Sequence, residues 1–281
     1  MLKNEVCLTN DEKQKLNLMA REVRLDILKM VYNAKSGHIG GAFSSVELML
    51  TLFFKSLNHK KNSDINYSKR DRFILSKGHA SALYYAVLAQ FGYISKEDLM
   101  TFRKLGSKLQ GHPSKKFLDC VEVSTGSLGQ GLSIANGIAL GLKLDKNDTS
   151  KVFVLLGDGE LQEGNVWEAI MSSSHNKLNN IIAIVDKNDL QIDGKTDDVM
   201  SLSNLNQKFK SFNWDVYEID GHDYDQILDA YENAKLSKEK PTCIIANTKK
   251  GYGVSFMNNN KDWHGKAPNV DEYNKAIEEL K

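Results

Sequence analysis

The sequence predicts an α/β fold of three layers, with helices on both faces of a mostly parallel sheet. Two observations carry this. The apolar runs at 152–156 and 181–185 show no polar alternation, the pattern of strands covered on both faces. Around them, strand-like runs alternate with helical segments of about 10–15 residues, the signature of βαβ units. A third observation places chemistry on that frame. Asp158 follows the first run in Gly157-Asp158-Gly159, and Asn188 follows the second. Both therefore project from strand ends, where parallel sheets hold their ligands.

A carboxylate and an amide oxygen are hard donors suited to Mg²⁺ or Ca²⁺. Gly157 and Gly159 let the backbone approach a phosphate, and the helix that follows offers its N-terminal N–H groups. A lone GDG is common in turns. Here residues 160–187 separate it from Asn188, room for one helix and one strand, and the two halves together outline a metal–diphosphate site.

The 281 residues can bury a large core, as one large α/β domain or two small ones. Three prolines and the lack of repeats or low-complexity stretches leave no obvious linker. The 37 basic and 36 acidic residues nearly cancel, which argues against a nucleic-acid or membrane-surface partner. Cys7, Cys120 and Cys243 are scattered, odd in number and without metal spacing, as for reduced thiols in a cytoplasmic protein. No apolar run reaches membrane-spanning length, and the N-terminus is too polar for a signal peptide.

In chain order, residues 11–34 carry apolar side chains three and four apart, from Leu16 to Ala34, so they form an amphipathic helix, with Asn10 as its cap. The chain breaks at Ser36-Gly37-His38-Ile39-Gly40-Gly41 before a second helix, about 45–54. A histidine flanked by three glycines has little packing available, which marks His38 as functional. The charged stretch 58–70 reads as solvated surface. A short strand at 72–75 ends in Ser76-Lys77-Gly78-His79 and opens a helix over 80–91, so His79 is either an anion donor or a simple cap. A short helix starts at Ser95, with acidic residues in its favoured first turn. Gln110-Gly111-His112-Pro113 puts a third histidine in a turn. The glycine-rich loop 123–131 feeds a helix over 132–144; alone it is weak evidence, but in series with the other loops it can line one crevice.

The second half adds a polar connection over 197–212, strands at 214–219 and 241–248, and helices at 224–236 and 270–280. Between the last two, Lys249-Lys250-Gly251-Tyr252-Gly253 leaves the sheet, and Trp263-His264-Gly265 carries a fourth loop histidine. His59, His175 and His222 read as structural or exposed. His38, His79, His112 and His264 lack metal spacing, so they are expected to serve as anion donors and proton shuttles rather than zinc ligands.

The order SGHIGG, DRFILSKGHA, QGHPS, STGSLGQGLS, GDGELQEG, DKNDLQIDG, KKGYG and WHGKAP resembles the N-terminal, diphosphate-binding domain of transketolases, over about residues 11–268. The resemblance implies a thiamine-diphosphate fold and enzyme, a cytoplasmic transferase moving a two-carbon ketol unit between sugar phosphates of the pentose phosphate pathway. By the same resemblance, Asp158, Asn188 and the Leu190 carbonyl would hold Mg²⁺, with Ca²⁺ or Mn²⁺ as substitutes. Gly157 and Gly159 would approach the diphosphate, with His79 and His264 donating to it. Gly126, Ser127 and Leu128 would line the cofactor near its aminopyrimidine. His38, His112 and His264 would face the sugar hydroxyls and move protons, with His38 also at the cofactor. Glu163 resembles a buried subunit-interface acid that couples paired active sites. Glu160 falls in the cofactor-facing set without a specific role.

Ylid formation in these enzymes needs a glutamate against the aminopyrimidine. In transketolases that group lies in a pyrimidine-binding domain that follows in the same polypeptide. Residues 1–281 read as the diphosphate-binding domain alone, and Glu278 and Glu279 on a surface helix are no substitute. The expectation is therefore the N-terminal chain of a split transketolase, active only with a pyrimidine-domain chain, as a two-plus-two heterotetramer. The rival readings are one chain of a 1-deoxyxylulose-phosphate synthase-like enzyme, an α-chain of a 2-oxoacid dehydrogenase, and a non-catalytic binding module. The histidine loops and WHGKAP favour transketolase over the two other enzymes, and the intact set of Asp158, Asn188, His38, His79, His112 and His264 argues against a non-catalytic module.

Overall fold

Thr9 opens the first helix. Its hydroxyl accepts from the Glu12 N–H while the Glu12 carboxylate accepts from the Thr9 N–H, so two of the orphan donors at the helix start are satisfied reciprocally. The cap is therefore Thr9 and not the Asn10 expected from sequence; both residue types cap well, and the glutamate three residues on decides for Thr9. The computed structural model describes residues 7–59 and 68–281. The central part of the charged stretch 58–70 lies outside them. Its described ends are tied down: the Asn58 N–H donates to Asp71 Oδ2 at 2.8 Å, and Arg70 pairs with Glu122.

The helices are α1 (Asn10–Ala34), α2 (Ile39–Phe43), α3 (Val46–Thr51), α4 (Ser81–Phe91), α5 (Gln130–Leu144), α6 (Gly164–His175), α7 (Thr196–Met200), α8 (Leu205–Ser211), α9 (Tyr224–Lys235) and α10 (Val270–Leu280). The strands are β1 (Arg72–Leu75), β2 (Val152–Gly157), β3 (Ile181–Lys187), β4 (Asp215–Asp220) and β5 (Thr242–Asn247). The helix expected at 45–54 differs in detail. A separate turn of helix, α2, precedes it, and α3 runs on into a π-helical turn at Leu52–Ser56. Trp214 stays outside β4, buried, with its indole N–H donated to the Ile170 carbonyl at 3.0 Å.

All five strands are parallel, in the order β1-β2-β3-β5-β4. Successive strand residues serve opposite faces. Phe73, Leu75, Phe153, Leu155, Ile182 and Ile184 belong to one core, with side chains of α1–α4 and α9. Ile74, Val152, Val154, Ile181, Ala183 and Val185 belong to the other, with side chains of α5, α6 and α8. Burial on both faces explains why these strands lack polar alternation. Among the described residues no helix is long and apolar enough to cross a membrane, and the three cysteines are free.

Because every strand runs the same way, the segments leaving β1, β2, β3 and β5 emerge on one edge of the sheet. They carry Lys77 and His79, Asp158, Asn188, and Lys250.

Candidate functional site

Those strand ends surround a cavity of about 220 Å³ lined by Lys77, His79, Leu128, Asp158, Asn188, Lys250 and His264, with Gly157, Gly159, Glu160, Glu163 and Leu190 among its other walls. One wall is acidic. The Asp158 carboxylate accepts from the Gly159 N–H at 2.8 Å and the Asp189 N–H at 2.6 Å. Burial, with the Asp186 carboxylate nearby, pushes its pKa up to about 7. Asn188 is buried; its Nδ2 donates to Asp186 Oδ2 at 3.1 Å and its Oδ1 accepts from the Leu190 N–H at 3.2 Å.

Asp186 is fully buried beneath this wall. Burial works against its charge, but the Lys77 ammonium beside it, with the hydroxyls of Thr248 and Ser44, holds its pKa down at about 2. Lys77 Nζ also donates to the Gly41 carbonyl at 2.8 Å and to Ser45 Oγ at 3.2 Å. A buried ion pair repays its desolvation only when the remaining donors and acceptors are used, and here they are.

The opposite wall is basic. Lys250 is 2 % exposed, and its Nζ stands 3.0 Å from His264 Nδ1. Burial, and then Lys77, lower the Lys250 pKa to about 8. An ammonium only donates, so His264 Nδ1 is the acceptor and the imidazole proton sits on Nε2. Burial and Lys250 lower the His264 pKa to about 3.

The four loop histidines come together. Ring centroids lie 5.3 Å apart for His38 and His79, 5.3 Å for His79 and His264, 5.6 Å for His38 and His264, and 6.5 Å for His38 and His112. Burial lowers the pKa of each, with Arg103 and then His112 adding to the effect at His38, which falls to about 4, and Lys77 at His79. At neutral pH all four are uncharged, so each offers one donor and one acceptor. His79 sits in a single 3₁₀ turn before α4 and makes no capping bond, which removes the simple-cap reading.

The other expected residues differ in what they do at the crevice. Glu160 is buried and accepts from Ser76 Oγ at 2.5 Å, the Gly129 N–H at 2.9 Å and the Gly157 N–H at 3.1 Å. It cross-links three loops, and the Gly157 N–H is directed to it. The GDG turn opens a 3₁₀ turn at Gly159–Gln162, and α6 begins only at Gly164, so the N-terminus of α6 is one turn further from Asp158 than expected. Leu128 lines the cavity, whereas Ser127 is exposed and outside its lining. Gly126 lies against His112, where a Cβ would stand 3.1 Å from the ring. Glu163 is exposed on this chain.

Sequence reading passed over Lys77, Asp186, Lys250 and Arg103. Arg103 donates to Ser36 Oγ at 2.7 Å and faces His38 Nδ1 at 3.5 Å. The available signal was an acidic residue at the end of an otherwise apolar strand, since Asp186 cannot be buried there without a cation.

Residues 15–280 match the family model described as transketolase, thiamine diphosphate binding domain. The chain is 40% identical to one subunit of the apulose-4-phosphate transketolase of Actinobacillus succinogenes, over 99% of both chains. It is 39% identical to the corresponding subunit from Phocaeicola vulgatus, over 94% of this chain and 93% of that one. The crystal structure of transketolase from Campylobacter jejuni superposes with a TM-score of 0.88 at 35% identity, over 95% of this chain and 43% of that longer chain. The strand-end crevice and the match along almost the whole length agree, and the chain belongs to the transketolase family as a thiamine diphosphate binding domain.

Proposed function

We propose that this chain is the diphosphate-binding subunit of a two-chain transketolase, transferring a two-carbon ketol unit between phosphorylated sugars. The observation that carries the reading is the single crevice where the Asp158–Asn188 wall faces Lys250, His264 and His79. The relatives of matching length, named as subunits of apulose-4-phosphate transketolases, support a separate partner chain. That partner would supply the pyrimidine-binding domain and its glutamate, in a two-plus-two heterotetramer, and residues 1–281 would act as one diphosphate-binding domain.

The donors fit the proposed cofactor and metal. Among the described residues no three His, Cys, Asp or Glu side chains gather as a metal cluster. A carboxylate, an amide oxygen and a main-chain carbonyl, from Asp158, Asn188 and Leu190, suit a hard cation that keeps other positions for diphosphate oxygens, as Mg²⁺ does. The raised Asp158 pKa marks a buried charge that a cation would balance. Lys250, with the Nε2–H of His264 and the imidazole of His79, provides donors for the diphosphate.

Thiamine diphosphate, when bound, supplies the carbon nucleophile for ketol transfer. The chain's own groups orient the sugar. His38, His112 and His264 are neutral and can accept a hydroxyl proton or donate to a carbonyl oxygen.

The test is titration calorimetry of the chain with Mg²⁺ and pyrophosphate, followed by reconstitution with a pyrimidine-domain chain. Heat of binding that requires both ligands, and that is lost in Asp158→Ala, is expected. Ketol transfer from a ketose phosphate should appear only in the mixture. Activity of the purified chain alone would overturn the partner requirement.

A further inference from the structure

The Asp220-Gly221-His222-Asp223 turn after β4 has no role in the crevice itself, and of Lys249-Lys250-Gly251-Tyr252-Gly253 after β5 only Lys250 reaches it. They meet over a buried chain of charges. Arg24 of α1 places Nη2 at 2.7 Å from Glu47 Oε1 and 2.9 Å from Glu47 Oε2, on α3. Its Nε donates to the Tyr252 carbonyl at 2.8 Å. Glu47 Oε2 lies 3.1 Å from His222 Nδ1, and His222 Nε2 accepts the Lys249 N–H at 3.0 Å. The His222 ring stacks on Tyr252, with centroids 3.7 Å apart.

Each orientation is forced. A backbone N–H only donates, so His222 Nε2 carries the lone pair and Nδ1 carries the proton given to Glu47. Gly253 has φ +98°, and a Cβ there would stand 2.9 Å from Arg24 Cδ, so only glycine lets the guanidinium lie against this segment. On the other side, the Gly251 N–H donates to the Gly40 carbonyl at 3.0 Å, and Lys250 extends into the crevice beside His264. The segment is held from both sides, and the residue between the Lys249 N–H and the Gly251 N–H is Lys250.

We propose that Arg24, Glu47 and His222 are positioning residues that hold segment 249–253 so that the Lys250 ammonium stays in the crevice. This rests on the reading that the crevice receives a diphosphate. Buried ion pairs are weak devices for stability but can fix a unique arrangement. Well-packed apolar replacements would leave the Lys249 N–H and the Tyr252 carbonyl without partners and free the segment to move.

The experiment labels the full chain with an amine-specific acetylating reagent and reads the rate at each lysine by peptide mass spectrometry. His222→Phe keeps a ring on Tyr252 and removes both bonds; His222→Gln keeps an acceptor for Lys249. The expected result is at least a ten-fold faster reaction at Lys250 in His222→Phe, an unchanged rate at Lys77 in the same crevice, and recovery in His222→Gln. If His222→Phe does not fold, Glu47→Gln carries the same expectation. Equal acceleration at Lys77 and Lys250 would mean general loosening and would overturn the proposal, as would no acceleration at either. Failure of wild-type chain to bind Mg²⁺–pyrophosphate would count against the cofactor reading instead, while the two lysine rates still judge the positioning role.

Discussion

Asn188 Nδ2 donates to Asp186 Oδ2 at 3.1 Å, and that bond, with the Leu190 N–H donated to Asn188 Oδ1, decides which end of the Asn188 amide faces the crevice. An ionised carboxylate only accepts, so the NH₂ group must lie toward Asp186 and the oxygen away from it. Lys77 keeps Asp186 ionised. A lysine from the end of β1 thus sets the orientation of a donor at the end of β3 through a residue that never reaches the cavity surface.

Asp186→Asn should therefore uncouple both ends. The substitution leaves Lys77 buried without its counter-charge, which is expected to destabilise the chain by about 3–5 kcal/mol in urea denaturation. It also leaves the Leu190 N–H as the bond that orients the Asn188 amide, loosening it. Metal-dependent pyrophosphate affinity should fall by about 10–100-fold, the scale for losing a partner that orients a metal ligand.

Acidification should act on stability in two opposed ways: Asp158, with a pKa of about 7, takes up its proton first in the folded chain and favours it, while the buried histidines disfavour it. The folded-state pKa values of His38 and His264, about 4 and about 3, lie below the ordinary value of 6.5. Between those values the unfolded chain binds more protons at these two histidines than the folded one, so their contribution to stability falls as pH drops below about 6.5. Above that pH the contribution is fully present. After allowance for partial exposure, each histidine should cost about 1–2 kcal/mol by pH 5. Denaturation midpoints of wild type and His264→Gln between pH 8 and 5 isolate the histidine contribution by difference: the variant should lose less stability on acidification than the wild type.

Glu160→Ala removes the acceptor for two backbone N–H groups and one hydroxyl in a buried corner. A loss of about 2–4 kcal/mol is expected, from unsatisfied donors rather than lost packing. Glu160→Gln keeps one acceptor oxygen and should lose less. Equal stability of all three proteins in urea would show that water replaces the carboxylate.

Glu163 is exposed on this chain, so Glu163→Ala should change its own stability by less than about 0.5 kcal/mol. In sedimentation with the partner chain, the same variant should weaken assembly. Unchanged assembly would remove Glu163 from the interface.

How much was legible depended on how local each signal was. Strand β1 and helix α10 match their expected bounds because apolar pattern and caps lie within a few residues of each other. Asp158, Asn188 and the four histidines stood out because glycines or strand ends beside them leave little packing to occupy such side chains. Lys77 and Lys250 did not, since a lysine reads as surface until a distant partner buries it. Asp186 lies 109 positions from Lys77. The role of Glu160 was not legible for a related reason. Its position beside Asp158 suggested the crevice, whose wall it joins, but its carboxylate is taken up by Gly129, 31 residues earlier.

The strand order carries a further consequence for how the molecule is made. Strand β5 lies between β3 and β4, so β4 leaves the ribosome with no neighbour to pair with until β5 follows. Lys250 and His264 come later still. An emerging chain has its acidic wall tens of residues before its basic one, and any truncation ahead of Thr242 strands an unpaired β4 edge. Such edges invite pairing with other chains. The keystone of the sheet is synthesised after the four strands it completes.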